Sequence, residues 1–204
     1  MLRSRRGAAS VRGVDDGFQP AGRAPAPPPL DLVQDFVNTE IPEWARDDIG
    51  TPEQLDAWLR ARHLLRAGEQ VDAAGFVAAR AVRSALRELA LLNTLGRPPG
   101  ADARTALDGL LGDVVLAPRV DAGGLLTASA EGEGVTRALG SLVAVVLEAQ
   151  ASGTWGRLKA CRKDTCRWLF YDGSRNRSST WCSMSICGNR SKTAAYRRRR
   201  RKAQ

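Results

Sequence analysis

The sequence predicts an α+β fold: a mostly helical N-terminal domain carrying one small β-hairpin, followed by a small four-cysteine finger made of a second β-hairpin and a basic helix. Three observations predict it. Two long stretches, about Asp72 to Leu95 and Val135 to Ala151, repeat apolar residues at helical spacing. Between them, two short β-type runs flank Asp121-Ala122-Gly123-Gly124. All four cysteines, Cys161, Cys166, Cys182 and Cys187, fall near the C-terminus as two C-x4-C pairs fifteen residues apart.

Taken in order, residues 1–29 read as a disordered basic and Pro-rich tail. They show no apolar periodicity and end in Ala24-Pro25-Ala26-Pro27-Pro28-Pro29, too little surface to offset the entropy of ordering. The helical domain spans 30–152. Its first stretch, Leu30 to Thr39, is short and apolar, and periodicity alone leaves strand and helical turn both open. A helix then starts with Thr51 as N-cap, Pro52 in the first turn and Gln54 closing a capping box, and Gly68 is its expected stop.

Ala79, Val82, Leu86 and Leu89 form the stripe of the next, longer helix, which Gly96 and Pro98-Pro99 terminate. A shorter helix covers about Ala101 to Leu111. The strands Val114–Val120 and Leu125–Ser129 make the hairpin, with Pro118 placing the first at an edge. Val135, Leu139, Leu142, Val143, Val146 and Leu147 define the last helix of the domain, the clearest amphipathic signal in the chain. No apolar run approaches the roughly 18 to 20 residues that cross a bilayer, and a cytoplasmic, nucleoid-associated protein is expected.

Residues 153–204 are the finger. Arg167-Trp168-Leu169-Phe170-Tyr171 fits a strand, Asp172-Gly173-Ser174 a turn, and Ser178-Ser179-Thr180-Trp181 a returning strand. Ser183 is the expected N-cap of a helix carrying Cys187 and running on through Asn189, Arg190, Lys192 and Tyr196. Two close cysteine pairs around a hairpin suit one tetrahedral Zn2+ held by four thiolates, although an iron–sulfur cluster and a thiol redox switch stay open. With four cysteine ligands no coordination position is left for a catalytic water, so such a zinc is structural.

Charge separates the two halves. Residues 155–204 contain 15 Lys and Arg against 2 Asp and Glu, a net +13, whereas residues 1–154 are at −4. A cationic segment of this kind points to a polyanion as partner. Arg175, Arg177, Asn189, Arg190, Lys192, Arg197, Arg198 and Arg201 are the candidate nucleic-acid contacts, with Asn189 and Arg190 of the side-chain types that read base edges. Duplex DNA is the expected partner and RNA the alternative, the latter favoured if Trp168 or Tyr171 is exposed for stacking.

No catalytic site is expected. The chain has no phosphate loop, G-x-G-x-x-G or G-x-S-x-G, and its one histidine, His63, has no partnered carboxylate pattern. Glu40, Glu43, Asp47 and Asp48 read as a solvated loop. Trp44 and Trp58 read as core or domain-contact residues.

The string Cys161-x4-Cys166-Arg-Trp-Leu-Phe, Ser174-Arg175-Asn176, Trp181-Cys182-Ser183-Met184 and Cys187-Gly188-Asn189-Arg190 resembles the CGNR zinc finger of bacterial proteins. In that family the finger follows an ABATE domain, and Asp35-Phe36-Val37-Asn38-Thr39 resembles that domain's opening motif, with Gln34 polar where an apolar residue is expected. The resemblance implies a stress-induced transcription regulator that binds zinc through Cys161, Cys166, Cys182 and Cys187 and DNA through Asn189, Arg190 and Lys192. It also implies a sensing or oligomerising N-terminal domain, so a small-molecule effector and a homodimer join the expected partners.

Overall fold

The computed structural model describes residues 19–193 and residue 200. Residues 1–18 of the expected tail lie outside the described residues.

The first apolar stretch resolves as a helix, α1 (Leu30–Asn38), because Leu30, Val33, Phe36 and Val37 share a face that is entirely buried. A minimal hairpin follows, β1 (Glu40–Ile41) with β2 (Arg46–Asp47), joined through a 3-10 turn at Pro42–Trp44. Helix α2 (Pro52–Ala61) starts on the expected capping box: Gln54 N–H donates to Thr51 Oγ1 at 3.3 Å, and Thr51 N–H to Gln54 Oε1 at 3.1 Å. It stops short of Gly68. His63 adopts the left-handed conformation (φ 56°), and the Leu64 N–H reaches back to Leu59 O at 2.9 Å, which closes the helix as a glycine would. The single histidine is thus a helix-ending residue, and Leu64 and Leu65 still fold into the core.

Helix α3 (Ala73–Leu95) runs from an Asp72 cap, whose carboxylate accepts from Gly75 N–H at 2.7 Å, to Gly96 at φ 64°. Helix α4 (Ala101–Leu111) lies beside α3 and buries none of its residues. Strands β3 (Leu116–Val120) and β4 (Leu126–Ala130) form the expected hairpin, pairing Leu116 with Ala130 and Val120 with Leu126. Helix α5 (Gly134–Ala151) packs against α1, α3 and β4. Its Gly140 lets the hairpin come close, since a Cβ there would stand 2.9 Å from Ala130 Cβ. By length and mean hydropathy (1.2 over 18 residues) α5 would suffice to cross a membrane, contrary to the sequence reading; 44% of it is buried as the domain's core helix.

The acidic cluster is not a solvated loop. Arg83 and Arg87, one turn apart on α3, are 1% and 7% exposed, and the β1–β2 hairpin supplies their counter-charges. Arg83 donates to both Asp47 oxygens at 2.7 and 2.8 Å and to Thr39 Oγ1 at 3.0 Å. Arg87 pairs with Glu40 and donates to Val37 O at 2.7 Å. A guanidinium buried this deeply is tolerable only with such partners, so the carboxylates are structural counter-ions. Trp58 is buried against Phe36, at 5.4 Å between ring centroids, whereas Trp44 is 60% exposed and so is not a core residue.

Residues 19–29 depart from the expected tail. Gln19 and Ala26 are buried, and Arg23 lies 4.7 Å from the Phe170 ring centroid while donating to Cys182 O at 2.7 Å and Trp181 O at 3.2 Å. Composition gives no sign of this because the backbone partners of Arg23 lie 158 and 159 residues away and owe nothing to local periodicity.

Burial by itself would push the Asp47 carboxyl up, but the Arg83 guanidinium bonded to it holds its pKa below the ordinary carboxylate range. Asp47→Asn should therefore cost about 1.5–3 kcal/mol at neutral pH by urea unfolding. A group with a depressed folded-state pKa stabilises fully above its unfolded value, so the gap between wild type and variant should shrink as pH falls below about 4.

Candidate metal centre

The finger is built on strands β5 (Leu158–Ala160) and β6 (Leu169–Tyr171), paired antiparallel with Lys159 opposite Phe170. The aromatic run supplies strand β6 as expected, but the expected hairpin between the cysteine pairs does not form: the partner strand precedes Cys161, and Ser178–Trp181 is no strand. The first C-x4-C is therefore the hairpin's own tip. The ladder extends through Cys161 N–H to Trp168 O at 2.9 Å, Cys166 N–H turns back to Lys163 O at 2.9 Å, and Arg167 at φ 51° makes the tight reversal.

From Tyr171 the chain loops out and returns to the second pair. The loop is organised by a buried ion pair, Lys159 Nζ to Asp172 Oδ2 at 2.9 Å, with both side chains at most 5% exposed. Asp172 also accepts from Ser174 Oγ at 2.6 Å and from Ser179 N–H at 2.9 Å, and Lys159 donates to Arg177 O and to Ser179 O. Burial opposes the Asp172 charge, but the bonds from Ser174, Lys159 and Ser179 outweigh it and hold its pKa far below the usual range. Beyond Cys182, Ser183 caps the next turn as expected, with Ile186 N–H donating to its hydroxyl at 3.2 Å. That turn, Met184–Gly188, is a wide π-type turn rather than α-helix, and residues 189–193 continue from it as α-helix. It brings Cys187 beside Cys182.

All four sulfurs lie within 4.8 Å of one another and all four cysteines are buried. Cys166 Sγ and Cys182 Sγ are 3.7 Å apart, and Cys182 Sγ and Cys187 Sγ 3.6 Å. Tetrahedral zinc with Zn–S of about 2.3 Å requires sulfur–sulfur edges of about 3.8 Å, so the cluster can hold one zinc ion. Hydrogen bonds from Cys166 and Cys182 hold the Cys161 thiol well down. Cys166 and Cys182 are pushed up by sharing their protons with it, and Cys187 by burial and by the Cys161 charge. Thiolates this close resist forming together, so four of them need a cation in their midst.

The finger shares its core with the helical domain. Leu158, Ala160 and Leu169 belong to the same buried cluster as α1, α3 and α5. Side-chain amides make the junction. Asn38 donates to Leu169 O at 2.9 Å and accepts from Leu169 N–H at 2.8 Å, capping the free edge of β6 as another strand would. Gln34, polar at an apolar-looking position, is fully buried with partners for its whole amide: Leu169 O, Gln19 Oε1 and the Ala26 N–H. On the other side Asn93 donates to Trp155 O and Leu158 O, and Thr94 to Ala160 O. The motif around Asp35 to Thr39 signalled a domain start, and nothing in its pattern announced a clasp on the finger.

Arg175 and Arg177 stand exposed in the loop held by Asp172, and Asn189, Arg190 and Lys192 stand exposed on the helix after Cys187. Arg197, Arg198 and Arg201 lie outside the described residues. Lys163 and Glu43 take part in the site although the sequence reading had passed over the first and placed the second in a solvated loop: Lys163 pairs with Glu43, and Arg190 Nη1 lies 3.3 Å from the same carboxylate oxygen. Trp168 is 4% exposed and Tyr171 is partly buried against the core, so neither is a stacking platform.

Comparison with known families finds two matches. Residues 157–200 match the CGNR zinc finger, and residues 30–153 match ABATE, described as "putative stress-induced transcription regulator". A search of curated proteins returns no match.

Two measurements check the site. Metal analysis of the purified protein should return one zinc per chain, falling to none in Cys182→Ser; a wild-type protein that takes up no zinc would refute the assignment. Asn38→Ala strands the Leu169 N–H and leaves Leu169 O to Gln34 alone, and should cost about 1–3 kcal/mol in urea unfolding, with the finger loosened together with the domain.

Proposed function

We propose, from the chain's membership of the ABATE family, described as "putative stress-induced transcription regulator", and from the CGNR zinc finger it carries, that it binds duplex DNA, zinc-dependently, through the finger and its basic helix. The observation that carries the reading is the placement of the cations. Arg175 and Arg177 on one loop, and Arg190 and Lys192 on one helix, are exposed while the backbone beneath them is fixed by buried groups: Asp172 and Lys159 under the loop, the sulfur cluster under the helix. Cations on a rigid base lose little freedom on meeting phosphates.

Asn189 is the group assigned to base edges, and Arg190 joins Arg197, Arg198 and Arg201 among the phosphate contacts. The zinc takes no chemical step in this reading; it holds the helix where it presents these side chains, and no catalysis is assigned. RNA is less well supported, since of the two rings expected to stack Trp168 is buried and Tyr171 is partly buried against the core.

The N-terminal domain is assigned the regulatory role and the protein a place on the nucleoid in the cytoplasm. For a small apolar effector, the cleft of about 130 Å³ between α3, α4 and α5, lined by Val82, Leu86, Leu107 and Val146, is the fitting place. One finger reads few base pairs, so a homodimer would be needed to lengthen the site.

Selection on random duplex DNA, with zinc present and then chelated, tests the reading; enrichment should be lost on chelation. Affinity should fall steeply with salt, with a log–log slope of about −0.9 per phosphate neutralised. Arg177→Gln and Lys192→Gln should each lower that slope by about 0.9, nearly equally for all sequences. An affinity independent of salt would sink the proposal.

A further inference from the structure

The Glu43 carboxylate stands in an unusual place. It belongs to the helical domain, yet both of its cationic partners belong to the finger. Lys163 sits in the tip between Cys161 and Cys166, and Arg190 lies three residues beyond Cys187, so the metal ligands position both. Lys163 Nζ at 2.5 Å and Arg190 Nη1 at 3.3 Å meet on one oxygen, Glu43 Oε1. Two cations from separate segments converging on a single anionic oxygen is the arrangement that recognises a phosphodiester oxygen.

The carboxylate is also held there by its own domain. Ile41, two residues earlier, is 4% exposed and packs in the same buried cluster as the four cysteines, Trp168 and Phe170. The Pro42–Trp44 turn is closed by Ala45 N–H on Pro42 O at 3.2 Å, with Ala45 left-handed at φ 48°. On its other side the turn grows from β1 and β2, whose Glu40 and Asp47 are bonded to the buried Arg87 and Arg83. Glu43 is therefore placed by two packed bodies.

We infer that Lys163 and Arg190 form a phosphate subsite of the finger and that Glu43 occupies it in the free protein as a built-in phosphate mimic. Nucleic acid binds there by exchange, phosphate for carboxylate. A cation already paired with a carboxylate has little counterion to release, so these two groups add little to affinity or salt dependence while Glu43 stays seated. Whatever shifts the β1–β2 hairpin on α3 moves Glu43 and opens the subsite, which gives the N-terminal domain a direct hold on the finger. The inference rests on the finger being a polyanion binder, as proposed above.

The test uses the full chain, zinc-loaded, as wild type, Glu43→Gln, and Glu43→Gln with Lys163→Gln, with zinc content measured for each. Binding of a mixed-sequence duplex is titrated across salt, and binding of inorganic phosphate is followed by NMR. Glu43→Gln should bind the duplex about two- to tenfold tighter at low salt, with the slope steeper by about 0.9 for each phosphate gained, and Lys163→Gln should reverse this. Tighter phosphate binding in Glu43→Gln, reversed in the same way, sustains the subsite even if no form binds the duplex; only the DNA reading then falls. Should Glu43→Gln bind neither ligand more tightly with its zinc intact, the subsite is overturned, whether or not the wild type binds DNA.

Discussion

Four sulfurs packed within 4.8 Å of one another constrain everything around them. As thiolates they repel; as thiols they bury poor hydrogen-bonding groups; with a divalent cation among them they become the strongest cross-link the chain can make. The consequence is local and directional. The β5–β6 tip and the turn after Ser183, with little else in common, are tied at one point, and the exposed cations on either side of that point are displayed from a rigid base. A segment at +13 would otherwise gain little from folding, since compaction brings like charges together.

The finger is not an independent bead on a string. Its hairpin completes the core of the helical domain, and Asn38 and Gln34 bond the backbone of β6 where a neighbouring strand would otherwise pair. Sheets as small as two three-residue strands are not stable alone, so the finger draws its order from the metal on one side and α1 and α3 on the other. This arrangement lets a change in the helical domain reach the cationic surface without crossing a flexible linker. Glu43, carried on the hairpin that neutralises Arg83 and Arg87, is the most direct such route.

The helices were legible because their signals are local. The capping box at Thr51 and Gln54, the Asp72 and Gly96 ends of α3, the stripe of α5 and the Ser183 cap each depend on residues within a turn or two of one another. Where local rules are ambiguous the reading was open or slipped. The left-handed His63 ended α2 early because a side chain other than glycine took the glycine position. The finger's aromatic strand pairs with Leu158–Ala160, upstream of Cys161, and not with Ser178–Trp181, because a three-residue strand is too short to show a period and the turn signal at Asp172-Gly173-Ser174 belongs to a loop.

From the sequence alone came the ligand set, the helices α2 to α5 and the charge of the C-terminal segment, all properties of residue type and spacing. Tertiary structure alone decided which charges are free. Arg83 and Arg87 look like surface cations and are buried; Glu40 and Asp47 look like loop carboxylates and neutralise them; Arg190 looks like a base reader and already shares an oxygen of Glu43. The physical reason is distance along the chain. An ion pair between residues 36 to 147 positions apart leaves no trace in periodicity, because the two charges meet only after the packing of apolar faces has brought their elements together.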